Sequence, residues 1–168
     1  MSTRDRLLFL DYDNTLHRSD AYLTEQGVVA SSRGVELFEF APLLEQMLRP
    51  YPDVSIVLST DWVGAIGFEP ARDALPSVSL RERVIAATYD AAGTSVDRFS
   101  SMTRGGQVLR FVARYRVKSW LAIDDRLDGF AHCVERLVHC QPGVGLGDRD
   151  VQDMLARKLR WMFFVKGG

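Results

Sequence analysis

The 168-residue sequence predicts a doubly wound, Rossmann-like α/β domain built on a five-stranded parallel sheet. Three observations carry this reading. Five short apolar runs of strand length recur along the chain. The segments between most of them have helical spacing, so they supply crossovers to parallel neighbours. Acids and hydroxyls follow directly after several runs, where an open parallel sheet gathers its ligands.

The first run is Leu7-Leu8-Phe9-Leu10, followed by Asp11-Tyr12-Asp13-Asn14-Thr15. Apolar side chains at successive positions indicate a strand buried on both faces. Asp11 and Asp13 are one strand period apart and point the same way. Two carboxylates that close resist joint ionisation unless a cation or a proton sits between them. Residues 16–40 fit the alternation less well. Short pieces at residues 27–30 and 34–38 flank Ser31-Ser32-Arg33 and predict a β-hairpin flap after the first strand. Pro42-Leu43-Leu44-Glu45-Gln46-Met47-Leu48 predicts a helix, which Pro50 and Pro52 terminate.

The second run, Val54-Ser55-Ile56-Val57-Leu58, ends in Ser59-Thr60-Asp61-Trp62, and the third is Arg83-Val84-Ile85-Ala86-Ala87. Residues 90–106 are rich in Gly, Ser, Thr and Asp and predict a loop. Arg104 begins the next helix, whose Val108, Phe111 and Val112 share one face. The fourth run, Ser119-Trp120-Leu121-Ala122-Ile123, leads into Asp124-Asp125-Arg126, and the fifth is Arg136-Leu137-Val138-His139. Residues 151–161 predict a final helix with Val151, Met154, Leu155 and Leu159 inward, the arginines and Lys158 outward, and Asp148 or Asp150 as its cap.

The length suits one domain over residues 1–168, without repeats or an interdomain linker. The formal net charge of −1 argues against non-specific nucleic-acid binding through bulk charge. No apolar stretch is long enough to span a membrane, and the first run ends in acid, unlike a signal peptide. With only Cys133 and Cys140, a reduced, cytoplasmic protein is the simplest expectation.

Reading the carboxyl ends of the strands in turn gives Asp11 and Asp13, then Ser59, then Asp124 and Asp125, with Arg104 starting a helix nearby. Four acids, a hydroxyl and a cation form a phosphate-and-magnesium inventory. A hard divalent cation prefers carboxylate oxygens, and a phosphoryl group needs positive charge and hydroxyl donors. Here the sequence resembles the haloacid dehalogenase-like (HAD) phosphohydrolase superfamily over nearly its whole length. Asp11-Tyr12-Asp13-Asn14-Thr15 matches the first motif, Asp-x-Asp-x-Thr. Ser59 matches the second, Arg104 or Lys118 the basic third, and Ile123-Asp124-Asp125 the fourth. Within the superfamily, Leu58-Ser59-Thr60-Asp61-Trp62 and Leu121-Ala122-Ile123-Asp124-Asp125 look most like the HAD domains of "Swiss army knife" RNA repair proteins, with Val63 where those relatives often carry Arg.

The resemblance implies a Mg²⁺-dependent phosphomonoesterase. Asp11 would be the nucleophile that forms an aspartyl-phosphate, and Asp13 would protonate the leaving oxygen and then activate water. Ser59 would bind a phosphoryl oxygen, and Arg104, preferred over Lys118, would neutralise developing charge. Asp11, Asp13, Asp124 and Asp125 would surround the metal, with Asp125 the first choice of the last two. Thr15, Thr60 and Trp62 are candidate substrate contacts; Trp62 suits stacking on a base and packing equally well. No cap domain is evident in either interval where relatives insert one. An open mouth suits a bulky phosphorylated substrate such as a nucleic-acid end. Two rivals remain: a non-catalytic nucleic-acid module of RNA repair that retains the acidic site, and a receiver-like phosphoacceptor. The second is disfavoured because no Asp ends the third strand.

Elsewhere plainer readings prevail. His132-Cys133 and His139-Cys140, expected on a helix and a strand respectively, lack zinc-site spacing and read as packed residues. Gly143-Val144-Gly145-Leu146-Gly147 lacks a dinucleotide fingerprint and reads as a loop. His17 reads as a surface turn residue, and Trp161-Met162-Phe163-Phe164-Val165 as a helix end that closes the core.

Overall fold

The computed structural model describes residues 5–164. The five runs form one parallel sheet: β1 (Arg6–Leu10), β4 (Ser55–Leu58), β5 (Val84–Ala87), β6 (Ser119–Asp124) and β7 (Leu137–His139), in the order β5-β4-β1-β6-β7. The chain starts at the central strand, builds outward to one edge, then crosses over to build the other. That reversal opens a crevice at the carboxyl ends of the strands flanking β1. Leu10 pairs with Leu58 on one side and with Ile123 on the other, so the residues after all three strands emerge side by side.

Strand alternation divides the core. Leu8, Leu10, Ile56, Leu58, Leu121 and Ile123 face helices α1 (Ala41–Leu48) and α7 (Arg149–Phe163), whose Leu44, Leu48, Leu155 and Leu159 are buried. Leu7, Phe9, Val57, Trp120 and Ala122 face the opposite way, toward α6 (Arg104–Tyr115) through Val108, Phe111 and Val112. Phe9 sits edge-on between Phe111 at 5.5 Å and Trp120 at 5.7 Å. Both faces of β1 are dry, as its unbroken apolar run requires.

The hairpin is present but displaced from its expected position. It consists of β2 (Ala21–Thr24) and β3 (Gly27–Ala30), antiparallel, with Glu25 and Gln26 in the turn. Thr24 Oγ1 donates to the Gly27 carbonyl at 2.7 Å and accepts from Gln26 N, and Gly27 takes φ +113. Residues 34–38 are not a strand; they lead through Phe38, at φ +61, into α1.

Between β4 and β5 lie only the short helices α2 (Trp62–Ile66), α3 (Phe68–Asp73) and α4 (Val78–Arg83), so neither interval holds a cap. The expected loop at 90–106 contains α5 (Val96–Ser100), because Ser95 accepts from Arg98 N as its N-cap. His132 and Cys133 lie in turns rather than on a helix. Asp148 caps α7 by accepting from Asp150 N. Lys158, expected outward, reaches back to donate to the Leu137 carbonyl at 2.6 Å. At the carboxyl end of α7, Phe163 is buried while Trp161 and Phe164 are exposed; Val165 lies outside the described residues. No described helix is long and apolar enough to cross a membrane.

Candidate active site

Asp11 continues the β1 ladder, its N–H donating to the Ile123 carbonyl at 3.1 Å. Ser59 does the same after β4, donating to the Leu10 carbonyl at 2.8 Å. Asp124 is the last residue of β6. Three adjacent strand ends therefore bring Asp11, Ser59 and Asp124 together without any strained connection. Carboxylate oxygens of Asp11, Asp124 and Asp125 all lie within 4.8 Å of one another.

Arg104 faces this cluster from the first turn of α6. Its Nε lies 3.2 Å from Asp124 Oδ2, and its Nη2 lies 3.9 Å from Asp11 Oδ1 and 3.5 Å from Asp61 Oδ1. Its Nη1 donates to the Ser59 carbonyl at 2.9 Å. The helix start is anchored to hold this side chain. Thr103 accepts from Gly106 N, the Asp128 carboxylate accepts from Arg104 N at 2.9 Å, and the Asp128 carbonyl accepts from Gly105 N at 2.8 Å. Gly105 is obligatory there: a Cβ would come within 2.2 Å of the Gly129 carbonyl. Arg126 clamps Asp128 and holds its carboxyl down at about 2.

The electrostatics are those of too much negative charge in too little water. Burial, followed by the nearby Asp124 charge, holds the Asp11 carboxyl well above the usual carboxylate range despite Arg104. Burial likewise pushes Asp124 up to about 7, against the pull of Arg104. For Arg104 itself burial disfavours the charge, but Asp11, Asp124 and Asp61 more than reverse that. One guanidinium does not satisfy three carboxylates; a hard divalent cation at this oxygen cluster would. The donor set therefore fits Mg²⁺, with Asp11, Asp124 and Asp125 as its holders. Ser59 Oγ is buried beside the cluster without a hydrogen-bond partner among the described residues.

Asp13 stands apart from that cluster. Its Oδ1 accepts from Trp62 Nε1 at 2.9 Å and lies 3.0 Å from His17 Nε2, and its Oδ2 accepts from Ala21 N at 3.3 Å. His17 is fully buried, contrary to its reading as a surface turn residue. Phe38 N donates to His17 Nδ1 at 3.2 Å, which places the ring proton on Nε2, aimed at Asp13. Tyr12, Phe38 and Trp62 enclose the pair in edge-on aromatic contacts. The two aspartates thus have different environments: Asp11 among carboxylates, Asp13 among donors.

A family model for the HAD domain in Swiss Army Knife RNA repair proteins matches residues 7–151. The chain belongs to this family. The match spans every strand of the sheet and ends inside α7. Among curated proteins and among solved structures, no match to the chain is found. Membership in the HAD family also removes the receiver-like rival.

The HAD domain brings together Asp11, Ser59, Arg104, Asp124 and Asp125. It does not bring Lys118 to them. Lys118 is exposed and precedes β6, at the opposite end of the sheet from the site. The Asp13 carboxylate, expected among the metal ligands, is directed to Trp62, His17 and Ala21 instead. Thr15 Oγ1 donates to Asp11 Oδ2 at 3.4 Å, so it braces the cluster. Thr60 is buried and its Oγ1 accepts from Trp62 N at the start of α2. Trp62 is buried, with its N–H committed to Asp13 and its ring in edge-on contact with Tyr12 and Phe38. Asp61 and Asp128 had no role predicted from the sequence, and His17 read as a surface turn residue. Only His17 carried a signal, its spacing of four from Asp13.

Proposed function

We propose that this HAD domain is a Mg²⁺-dependent phosphomonoesterase that works through an aspartyl-phosphate on Asp11. The observation that carries the reading is the separation of two carboxylates one strand period apart, one in an acidic oxygen cluster and the other held by three donors. A nucleophile and a proton carrier need such different settings. Bound by Asp11, Asp124 and Asp125, Mg²⁺ would neutralise charge on the carboxylates and on the phosphoryl oxygens.

The side chains then divide the work. An Asp11 oxygen attacks phosphorus as the bond to the leaving oxygen breaks, and Asp13 gives that oxygen a proton. Asp13, now a carboxylate, takes a proton from water as the water attacks phosphorus and frees Asp11. Trp62 and His17 fix Oδ1 of Asp13 and so orient Oδ2 for both transfers. Ser59 Oγ has its hydrogen-bonding capacity to spare for a phosphoryl oxygen, and Arg104 counters the charge that develops there. The RNA-repair association of the family and the absence of a cap favour a nucleic-acid end as substrate, met in the cytoplasm.

The test is hydrolysis of phosphorylated RNA ends and of an aryl phosphate by the purified protein. Turnover should require Mg²⁺, vanish with EDTA and be abolished in Asp11→Asn. Robust turnover by the Asp11→Asn protein would overturn the mechanism. RNA binding that weakens with salt, without any hydrolysis, would mark a non-catalytic repair module instead.

A further inference from the structure

Beside Asp13, between the hairpin and α2, lies a cleft of ≈ 240 Å³ that continues into an apolar groove of ≈ 490 Å³. Asp13 is the group assigned to protonate the leaving oxygen, so the leaving group must lie against this cleft rather than over the metal cluster. Two properties restrict what fits. The wall is apolar: Leu23 and Val28, a cross-strand pair of the hairpin, line it together with Ile66. Leu23 is 57% exposed, so its side chain is accessible to a ligand in the cleft. The polar rim is acidic: Asp13, Asp20 and Asp61 line it, and no Lys or Arg does. Arg104 lies behind the rim, facing Asp11 and Asp124, and reaches only Asp61 of the three rim carboxylates, at 3.5 Å. The site is therefore polarised, with a cation where the phosphoryl group binds and carboxylates with apolar surface where the alcohol departs.

We infer that this cleft seats the base of the terminal nucleoside as leaving group, and that it rejects leaving groups that are themselves phosphates. The inference rests on the phosphatase reading and its nucleic-acid substrate class. A planar base covers the Leu23–Val28–Ile66 wall, and the Asp20 and Asp61 carboxylates accept from ribose hydroxyls or base amino groups. A departing phosphate would meet three carboxylates, of which only Asp61 is paired with a cation among the described residues, Arg104 at 3.5 Å. Monoesters are thus substrates and phosphoanhydrides are not. A free mononucleotide and a strand end share this terminal-nucleoside chemistry.

The test compares adenosine 3′- and 5′-monophosphate, a phosphorylated RNA trinucleotide, ribose 5-phosphate, ADP and pyrophosphate, using wild-type and Leu23→Glu protein with Mg²⁺. The better adenosine monophosphate should exceed ribose 5-phosphate in kcat/KM by about tenfold or more, the scale of one well-filled apolar contact. ADP and pyrophosphate should not be turned over. Leu23→Glu should erase the base preference, bringing the adenosine monophosphates down to the kcat/KM of ribose 5-phosphate. The trinucleotide separates the sources: turnover matching the mononucleotide assigns a strand end, and a loss assigns a free nucleotide. Saturation-transfer NMR of adenosine against ribose reads the cleft without turnover, and the adenosine signal should disappear in Leu23→Glu. Hydrolysis of adenosine 5′-monophosphate, adenosine 3′-monophosphate and ribose 5-phosphate with equal kcat/KM would overturn the cleft and leave the phosphatase reading intact. If no ester is hydrolysed, that reading fails, and the NMR contrast alone then decides the cleft.

Discussion

Replacing Trp62 with Phe probes the division of labour between the two aspartates. The change keeps an aromatic ring among Tyr12, His17 and Phe38 but deletes the Nε1–H that sits 2.9 Å from Asp13 Oδ1. A hydrogen bond to a charged acceptor contributes roughly 1.5–3 kcal/mol. If that energy holds Asp13 in its working orientation, kcat should fall by about 10- to 100-fold. His17 Nε2 and Ala21 N still contact the carboxylate, so the lower part of that range is expected. The leaving group supplies the control. A nucleoside leaves as a strongly basic alkoxide and needs a proton from Asp13, whereas 4-nitrophenolate leaves well without one. Steady-state assays on an RNA 3′- or 5′-phosphate and on 4-nitrophenyl phosphate should therefore show a large loss on the first and a small one on the second. Equal losses on both would mean that Trp62 merely supports packing. No loss on either would mean that Asp13 needs no clamp, and the reasoning would fail.

Other predictions address the charge cluster and its scaffold. Because burial pushes the Asp124 carboxyl up to about 7, well above the ordinary aspartate value of about 3.9, the folded chain holds an extra proton between those values. Stability without metal should therefore fall as pH rises from about 4 to 7, and Mg²⁺ should raise Tm more at pH 8 than at pH 5. A Tm without metal that rises over that window would contradict the assignment. Gly105→Ala should detach the start of α6 from the Gly129 carbonyl. It should cost at least about 1–3 kcal/mol in denaturant melts, as overpacking does, and depress turnover along with stability. Lys118→Ala should leave kcat/KM within about twofold of wild type, since an exposed residue at the far end of β6 touches nothing in the site, whereas Arg104→Ala should cost about 100-fold or more. Steady-state kinetics on the two variants would expose a reversed assignment of the basic residue.

The sheet was legible because its strands are apolar on both faces, and acids directly after them have one place to go in an open parallel fold. Asp11, Ser59 and Asp124 follow from that geometry alone. The end at which Lys118 lies was legible too: a residue just before a strand points away from the carboxyl-end crevice. The hairpin was misplaced because its turn, Glu25-Gln26, lacks the usual Asn-Gly or Asp-Gly signature, while Ser31-Ser32-Arg33 resembles a turn. Thr24 Oγ1 and the positive φ of Gly27 shape the turn instead. His17 was not legible as a site residue. Its burial comes from Phe38 folding back over it, a contact between residues 21 apart that no local pattern announces. Trp62 posed a related problem, since stacking and packing share one signature until the partner of its N–H is seen.

The central claim is that Asp11 carries the phosphoryl group while Asp13 moves protons. The most direct measurement is an acid-quenched labelling experiment on Asp13→Asn, which keeps the nucleophile but removes the group that activates water. With Mg²⁺ and a phosphate-labelled aryl ester, this variant should accumulate label stoichiometric with protein, and peptide mapping should place it on Asp11. Label on any other residue, or unlabelled protein that still releases phosphate through many turnovers, would contradict the account.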